Sequence, residues 1–126
     1  MIRVVRLGSP RAKGEGPRLG TVRRPPRGVK KADYAKRDYY DVWLPDLSPA
    51  QKTVSWATSA PWTDQRWRKF EKAYRREMRK QQHLLALLAA LSHHADFSVG
   101  CYCEDENRCH RSILRTLLAE NGARVG

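Results

Sequence analysis

Every cysteine of the chain lies in one eleven-residue run, Cys101-Tyr102-Cys103-Glu104-Asp105-Glu106-Asn107-Arg108-Cys109-His110-Arg111. Thiols, an imidazole and two guanidinium groups in one loop could do thiolate chemistry. A cysteine near a helix N-terminus, beside arginine or histidine, has its thiolate favoured. On that reading Cys101 is the first candidate for a nucleophilic or redox thiol and Cys103 the second. His110 would carry the proton, and Arg111 would hold an anion or clamp a carboxylate of the loop. The acidic run Glu104-Asp105-Glu106 opposes a bound anion unless its carboxylates turn outward. The same thiols and imidazole offer four soft or borderline ligands, a count that suits zinc. Their spacing argues against it, because adjacent Cys109 and His110 would strain to reach one ion. No metal or cofactor is assigned. Cys109 and His110 also have a plainer reading: Ile113 and Leu114 follow at four residues, so both would pack on the core face of a helix.

Such a loop has to be positioned. Ala95–Gly100 reads as a short buried strand before it, and Ser112–Glu120 as an apolar-faced helix after it, ended by Asn121-Gly122. The order strand, loop, helix puts the loop at the carboxyl end of a strand, where open α/β sheets bind ligands. Further strands are expected at Ile2–Leu7, Leu19–Arg23 and Tyr39–Leu44, the last two stopped by Pro25-Pro26 and by Pro45. Residues of about 8–20 read as a mobile, basic, glycine- and proline-rich loop without Walker spacing. Ser48-Pro49 has the order of an N-cap and a first helical proline, and Thr63 can cap the next helix. Trp67, Phe70, Tyr74 and Met78 then form one apolar stripe. The leucines from Leu84 to Leu91 either continue that helix or start another. The fold expected is a single α/β domain over 1–126, with a small, mainly parallel sheet of about four strands covered by helices.

Charge is uneven. The net formal charge is +12, with ten Lys/Arg in residues 1–31 against Glu15 alone. Arg66–Lys80 adds eight Lys/Arg against Glu71 and Glu77. Such faces attract nucleic acid, nucleotides or phosphorylated metabolites. Trp56, Trp62 and Trp67, interleaved with Arg66 and Arg68, could stack bases, although the apolar stripe claims Trp67 for the core. Asp41 should pair with an arginine, and His93-His94 should cap a helix end. No apolar run approaches the roughly 18 residues that cross a bilayer, and no secretory leader is seen. Three clustered cysteines do not make a disulfide framework, so a reduced, cytoplasmic protein without membrane attachment is expected.

Several motifs in order carry a resemblance: Gly28-Val29-Lys30-Lys31, Tyr39–Pro45 with Leu47-Ser48-Pro49, Phe70…Tyr74…Glu77, and Cys109-His110-Arg111 before a leucine helix. Over roughly residues 19–122 the chain resembles the domain-of-unknown-function family 488. The family pattern of strand, cysteine, variable acidic loop and Cys-His-Arg falls on Cys101, Cys109, His110 and Arg111. Where the family often has a glutamate two residues after its first cysteine, this chain has Cys103, with Glu104 next. Arg23 and Arg27-Gly28 match a recurring arginine and a proline-rich turn, with Pro25-Pro26 in place of Trp-Pro. The resemblance implies a compact cytoplasmic α/β domain and the place of its site, and no reaction. Two functions are therefore carried forward. One is a Cys101/His110/Arg111 site, with Arg23, Arg27 and Glu104 contributing, for a phosphate- or carboxylate-bearing ligand and with thiol-dependent activity. The other is a non-catalytic nucleic-acid module using the basic faces of residues 11–31 and 66–80.

Overall fold

The computed structural model describes residues 1–126. Its sheet has four strands: β1 (Ile2–Arg6), β2 (Arg18–Gly20), β3 (Val42–Trp43) and β4 (Phe97–Cys101). Their spatial order is β1-β4-β2-β3, and every neighbouring pair is parallel. This is the small parallel α/β sheet expected. β4, Phe-Ser-Val-Gly-Cys, is buried at every position, as a central parallel strand covered on both faces must be. Gly100 is required there, since a Cβ would stand 2.5 Å from the Val5 carbonyl oxygen of β1.

Two strands are shorter than their sequences suggest. Only Val42 and Trp43 of the aromatic segment pair with β2. Asp38 takes a left-handed φ of 62°, and the Tyr39 N–H bonds the Tyr34 carbonyl, so Tyr39 and Tyr40 belong to a turn. β2 ends at Gly20 rather than Arg23, because Arg23 turns to donate to the Ser48 and Pro49 carbonyls. The first helix also starts late. α1 (Gln51–Ala57) has Ala50 at its N-cap, while Ser48 and Pro49 precede it. The cap comes from elsewhere: Glu77 accepts both the Ala50 N–H and the Thr53 hydroxyl, each at 2.6 Å.

Glu77 stands on α2 (Asp64–Met78), which Thr63 caps as expected by accepting the Arg66 N–H. Phe70, Tyr74 and Met78 are buried, and Trp67 lies at the core's edge. A tight turn at Arg79–Gln81 divides this helix from α3 (Gln82–Leu91), so the leucine segment is a separate helix. α4 (His110–Glu120) brings Ile113, Leu114 and Leu118 against Ile2 and Val99 of the sheet. Full burial of one such side chain stabilises the fold by roughly 1.5–3 kcal/mol.

Between β1 and β2 there is no crossover helix. An irregular loop does the work, and its anchor is Arg18, whose side chain is fully buried. Arg18 Nε donates to Glu15 at 2.6 Å, and its terminal nitrogens reach the Ser9, Pro10 and Asp38 carbonyls. Burial raises the Glu15 carboxyl, but Arg18, the Ala12 N–H and Ser98 outweigh it and hold the group below its usual range. Arg11 bonds Asp38 and Asp41, which supplies the arginine partner expected for Asp41. The segment expected as a mobile basic loop thus holds a buried ion pair, and its last three residues are strand.

Candidate functional site

Beyond the carboxyl ends of β2, β3 and β4 the chain leaves a pocket of about 550 Å³. Val22 and Arg23 line it after β2, Ser48 and Pro49 after β3, and Cys101 and Cys103 at the end of β4. Val54, Ala57, Trp62 and Phe70 make an apolar far wall, and Arg24 and Arg108 stand at the rim. Arg108 also pairs with Asp64 at 2.8 Å and lies over the Trp67 ring.

The three sulfur atoms of Cys101, Cys103 and Cys109 all lie within 4.8 Å of one another. Cys101 and Cys109 are buried, whereas Cys103 is exposed. The path of the acidic loop brings this about by carrying the chain from the end of β4 back to Cys109, the N-cap of α4. Cys109 is buried, but with Leu7, Val22 and Tyr40 rather than in the cluster that holds Ile113 and Leu114, and its sulfur lies beside the other two. Bonds from Cys101 and then Cys109, reinforced by Arg111, hold the Cys103 thiol far below its ordinary range against the pull of burial. Cys101 is pushed up to about 12, first by its bond to Cys103. Cys109 is pushed up as well, chiefly by its bonds to Cys101 and Cys103. Of the three thiols, Cys103 is the one whose ionised form these neighbours favour.

His110 lies behind the trio. Its Nε2 is 2.7 Å from the Thr21 carbonyl, which can only accept, so Nε2 carries the proton. Nδ1 is then a bare acceptor, 3.7 Å from Cys109 Sγ. Thr21 is fixed in turn by its N–H and hydroxyl, both donated to the Gly100 carbonyl. The groups close enough together to share one metal ion are the three sulfurs, and His110 is not among them. Burial lowers its pKa to about 4, so the ring is neutral at pH 7.

That shift makes stability depend on pH. Between about 4 and the ordinary 6.5, the unfolded chain binds a proton that the folded ring refuses. Folding stability is therefore expected to fall by about 3 kcal/mol as pH drops through that window, and to be fully present above it. Glu15, Asp41 and Asp64, all held below their usual range, lose stability in the same direction at lower pH. Urea unfolding of wild type and His110→Gln separates the two contributions: the variant should lose the slope between about pH 6.5 and 5.

The remaining site candidates scatter. Arg111 is buried and does not line the pocket. It donates to the Cys103 carbonyl at 2.7 Å, with the Glu104 carbonyl at 3.5 Å, and its Nε has no partner. It clamps the loop's backbone where a loop carboxylate or an anion was expected. Arg23 lines the pocket, although its guanidinium is engaged by Ser48 and Pro49. Arg27 lies in a neighbouring concavity, and Glu104 is exposed beside Arg6. Trp62 packs edge-to-face on Trp67 and Phe70, Trp67 stacks on Phe70, and Trp56 lies under Arg66 at 4.3 Å, so none of the three stands as a free stacking platform. His93 bonds the Gly122 carbonyl at a helix end. Thr21 and Arg108 were missed by sequence reading. Thr21's place just after a strand was the available signal, and Arg108 had none beyond its neighbours.

No helix is long and apolar enough to cross a membrane. No curated protein matches the chain, and no solved structure does. A family model does match, over residues 2–122, and it extends the expected resemblance to β1 and the crossover loop. Nearly the whole sheet and the entire thiol loop fall inside that match, and the chain belongs to DUF488-N3a, the active DUF488-N3 subclade.

Proposed function

We propose that the protein is a thiol-dependent enzyme acting on an anionic ligand, with Cys103 as its thiolate. The observation that carries this is the convergence of three sulfurs with only Cys103 exposed, at the floor of a pocket. Sequence order favoured Cys101 as nucleophile, but Cys101 is 2% exposed and carries a raised pKa, so its part is to donate to Cys103. Cys109 is the second donor, and His110 Nδ1 is the alternative acceptor for its proton. That makes the Cys109–His110 pair the proton carrier beside Cys103. Arg111 is a positioning residue, holding the Cys103 carbonyl. The family description as an active subclade agrees with a catalytic reading.

The test is alkylation by iodoacetamide, followed cysteine by cysteine through peptide mass from about pH 5 to 8, with and without a chelator. An ordinary thiol speeds up about tenfold per pH unit below its pKa, whereas a thiol already ionised shows no slope. A flat profile at Cys103, with Cys101 and Cys109 protected in the folded protein, is expected. The slope is the criterion, since a low pKa also blunts nucleophilicity. A tenfold-per-unit rise at Cys103, prior reaction at Cys101, or reactivity only with chelator would each overturn the assignment.

A further inference from the structure

Next to the thiol pocket lies a second concavity, of about 790 Å³, at the carboxyl end of β1 and beside the Pro25-Pro26 turn. The two share Arg24 and Tyr102, so they are compartments of one cleft. Tyr102 is the residue between Cys101 and Cys103 and forms the partition. Its hydroxyl donates to the Arg24 carbonyl at 2.9 Å, and its ring meets Tyr39 edge-on at 6.1 Å.

The second compartment is built for negative charge. Arg6, Arg24 and Arg27 line it, and no carboxylate does. Their guanidinium groups are largely unspent. Arg27 makes no hydrogen bond or ion pair; Arg24 has only a 3.4 Å contact to Gln51; Arg6 has only Glu104 at 3.4 Å, a pair open to solvent. Arg11 and Arg18, by contrast, are consumed internally. Guanidinium forks recognise phosphate oxygens in pairs, and tyrosine rings give a stacking surface for a heterocycle.

From this geometry we infer a phosphate subsite: Arg6, Arg24 and Arg27, with the Tyr39 and Tyr102 rings, hold the nucleotide phosphate of a ligand whose reacting end crosses Tyr102 to Cys103. The inference rests on Cys103 as the reactive group, and it names the class of ligand. Tyr102 lines both compartments and precedes Cys103 in the chain, which sets the subsite beside the thiol pocket. The exposed basic residues of α2, such as Arg68, Lys69 and Lys72, line neither compartment and have no part in it.

Binding and chemistry can be tested apart. Equilibrium binding of pyrophosphate, ADP and a short single-stranded oligothymidylate is measured on Cys103→Ser, which needs no thiol. It is repeated with Arg27→Ala and Arg24→Ala added, and with Lys69→Ala/Lys72→Ala as control. At least one probe is expected to bind, about tenfold more weakly in each arginine variant and unchanged in the control. ADP and pyrophosphate binding without the oligonucleotide identifies a free nucleotide. Oligonucleotide binding that weakens roughly tenfold between about 50 and 200 mM salt identifies a strand end. In the wild type, the bound probe should also slow alkylation of Cys103. No binding of any probe at about 1 mM, binding that ignores Arg24 and Arg27, or binding that leaves Cys103 unprotected overturns the subsite. Arginine-dependent binding beside a Cys103 with an ordinary pH slope would remove the thiolate reading alone, so the two failures are distinguishable.

Discussion

In Cys103→Ser the pH-independent alkylation is expected to vanish, with a fall of at least about 100-fold in total thiol reactivity at pH 5. The size follows from what remains. Cys101 and Cys109 are buried and protonated, so neither can replace the lost thiolate. Because Cys103 is exposed, its serine variant should melt close to the wild type, which separates lost reactivity from lost fold. The companion variants test the cause. Cys101→Ala removes the first-ranked donor to Cys103 and should turn its flat profile into one that rises with pH, by up to about tenfold per unit. Cys101→Ser keeps an O–H donor in the same place and should keep the profile flat. Retention of the flat profile in Cys101→Ala and in Cys109→Ala would assign the thiolate to Arg111 and the α4 terminus alone.

The largest stability loss is expected for Arg18→Met, about 3–5 kcal/mol, because it leaves the Glu15 carboxylate buried without its partner. For a chain of this length that is roughly 10 °C or more in melting temperature. Three backbone carbonyls, those of Ser9, Pro10 and Asp38, lose their donor at the same stroke. Acid should partly rescue the variant, since Glu15 can then be neutral. The sign is opposite to the wild type, where the depressed Glu15 pKa contributes stability above the unfolded carboxylate range and loses it as pH falls. The double variant Glu15→Gln/Arg18→Met should recover part of the loss at neutral pH. Thermal melting at about pH 5 and 7 checks all three. A single variant within about 1 kcal/mol of wild type would show the pair to be replaceable.

The sequence displayed the site's location more clearly than its chemistry. β4, the acidic loop and α4 were legible because apolar runs of contrasting period flank a polar stretch. The convergence of the sulfurs was not, because it depends on the path of the five loop residues between Cys103 and Cys109 rather than on spacing. Nor could the preference for Cys103 over Cys101 be read from alternation, since residues two apart at a strand end share one face. Cys101 is closed off by its packing with Leu7, Val22 and Tyr40, which come from three separate segments. Basic composition misled in the same way. Arg11 and Arg18 look like a polyanion face in sequence and are internal fasteners in the fold. Glu77 stood in a motif with no visible task, because the helix it caps lies 27 residues earlier.

The strand order also governs how the chain can be made. β1 and β2 do not pair with each other; β4 lies between them, with Ile2 opposite Phe97 and Arg18 opposite Ser98. While the ribosome is still short of that point, the only strand pairing available is the brief one between β2 and β3. Zipping then has to close a very long stretch of sequence at once, which is slow and leaves apolar strands uncovered in the meantime. All three cysteines emerge with or after the end of that last strand. The sulfur group is therefore assembled by the same event that completes the sheet.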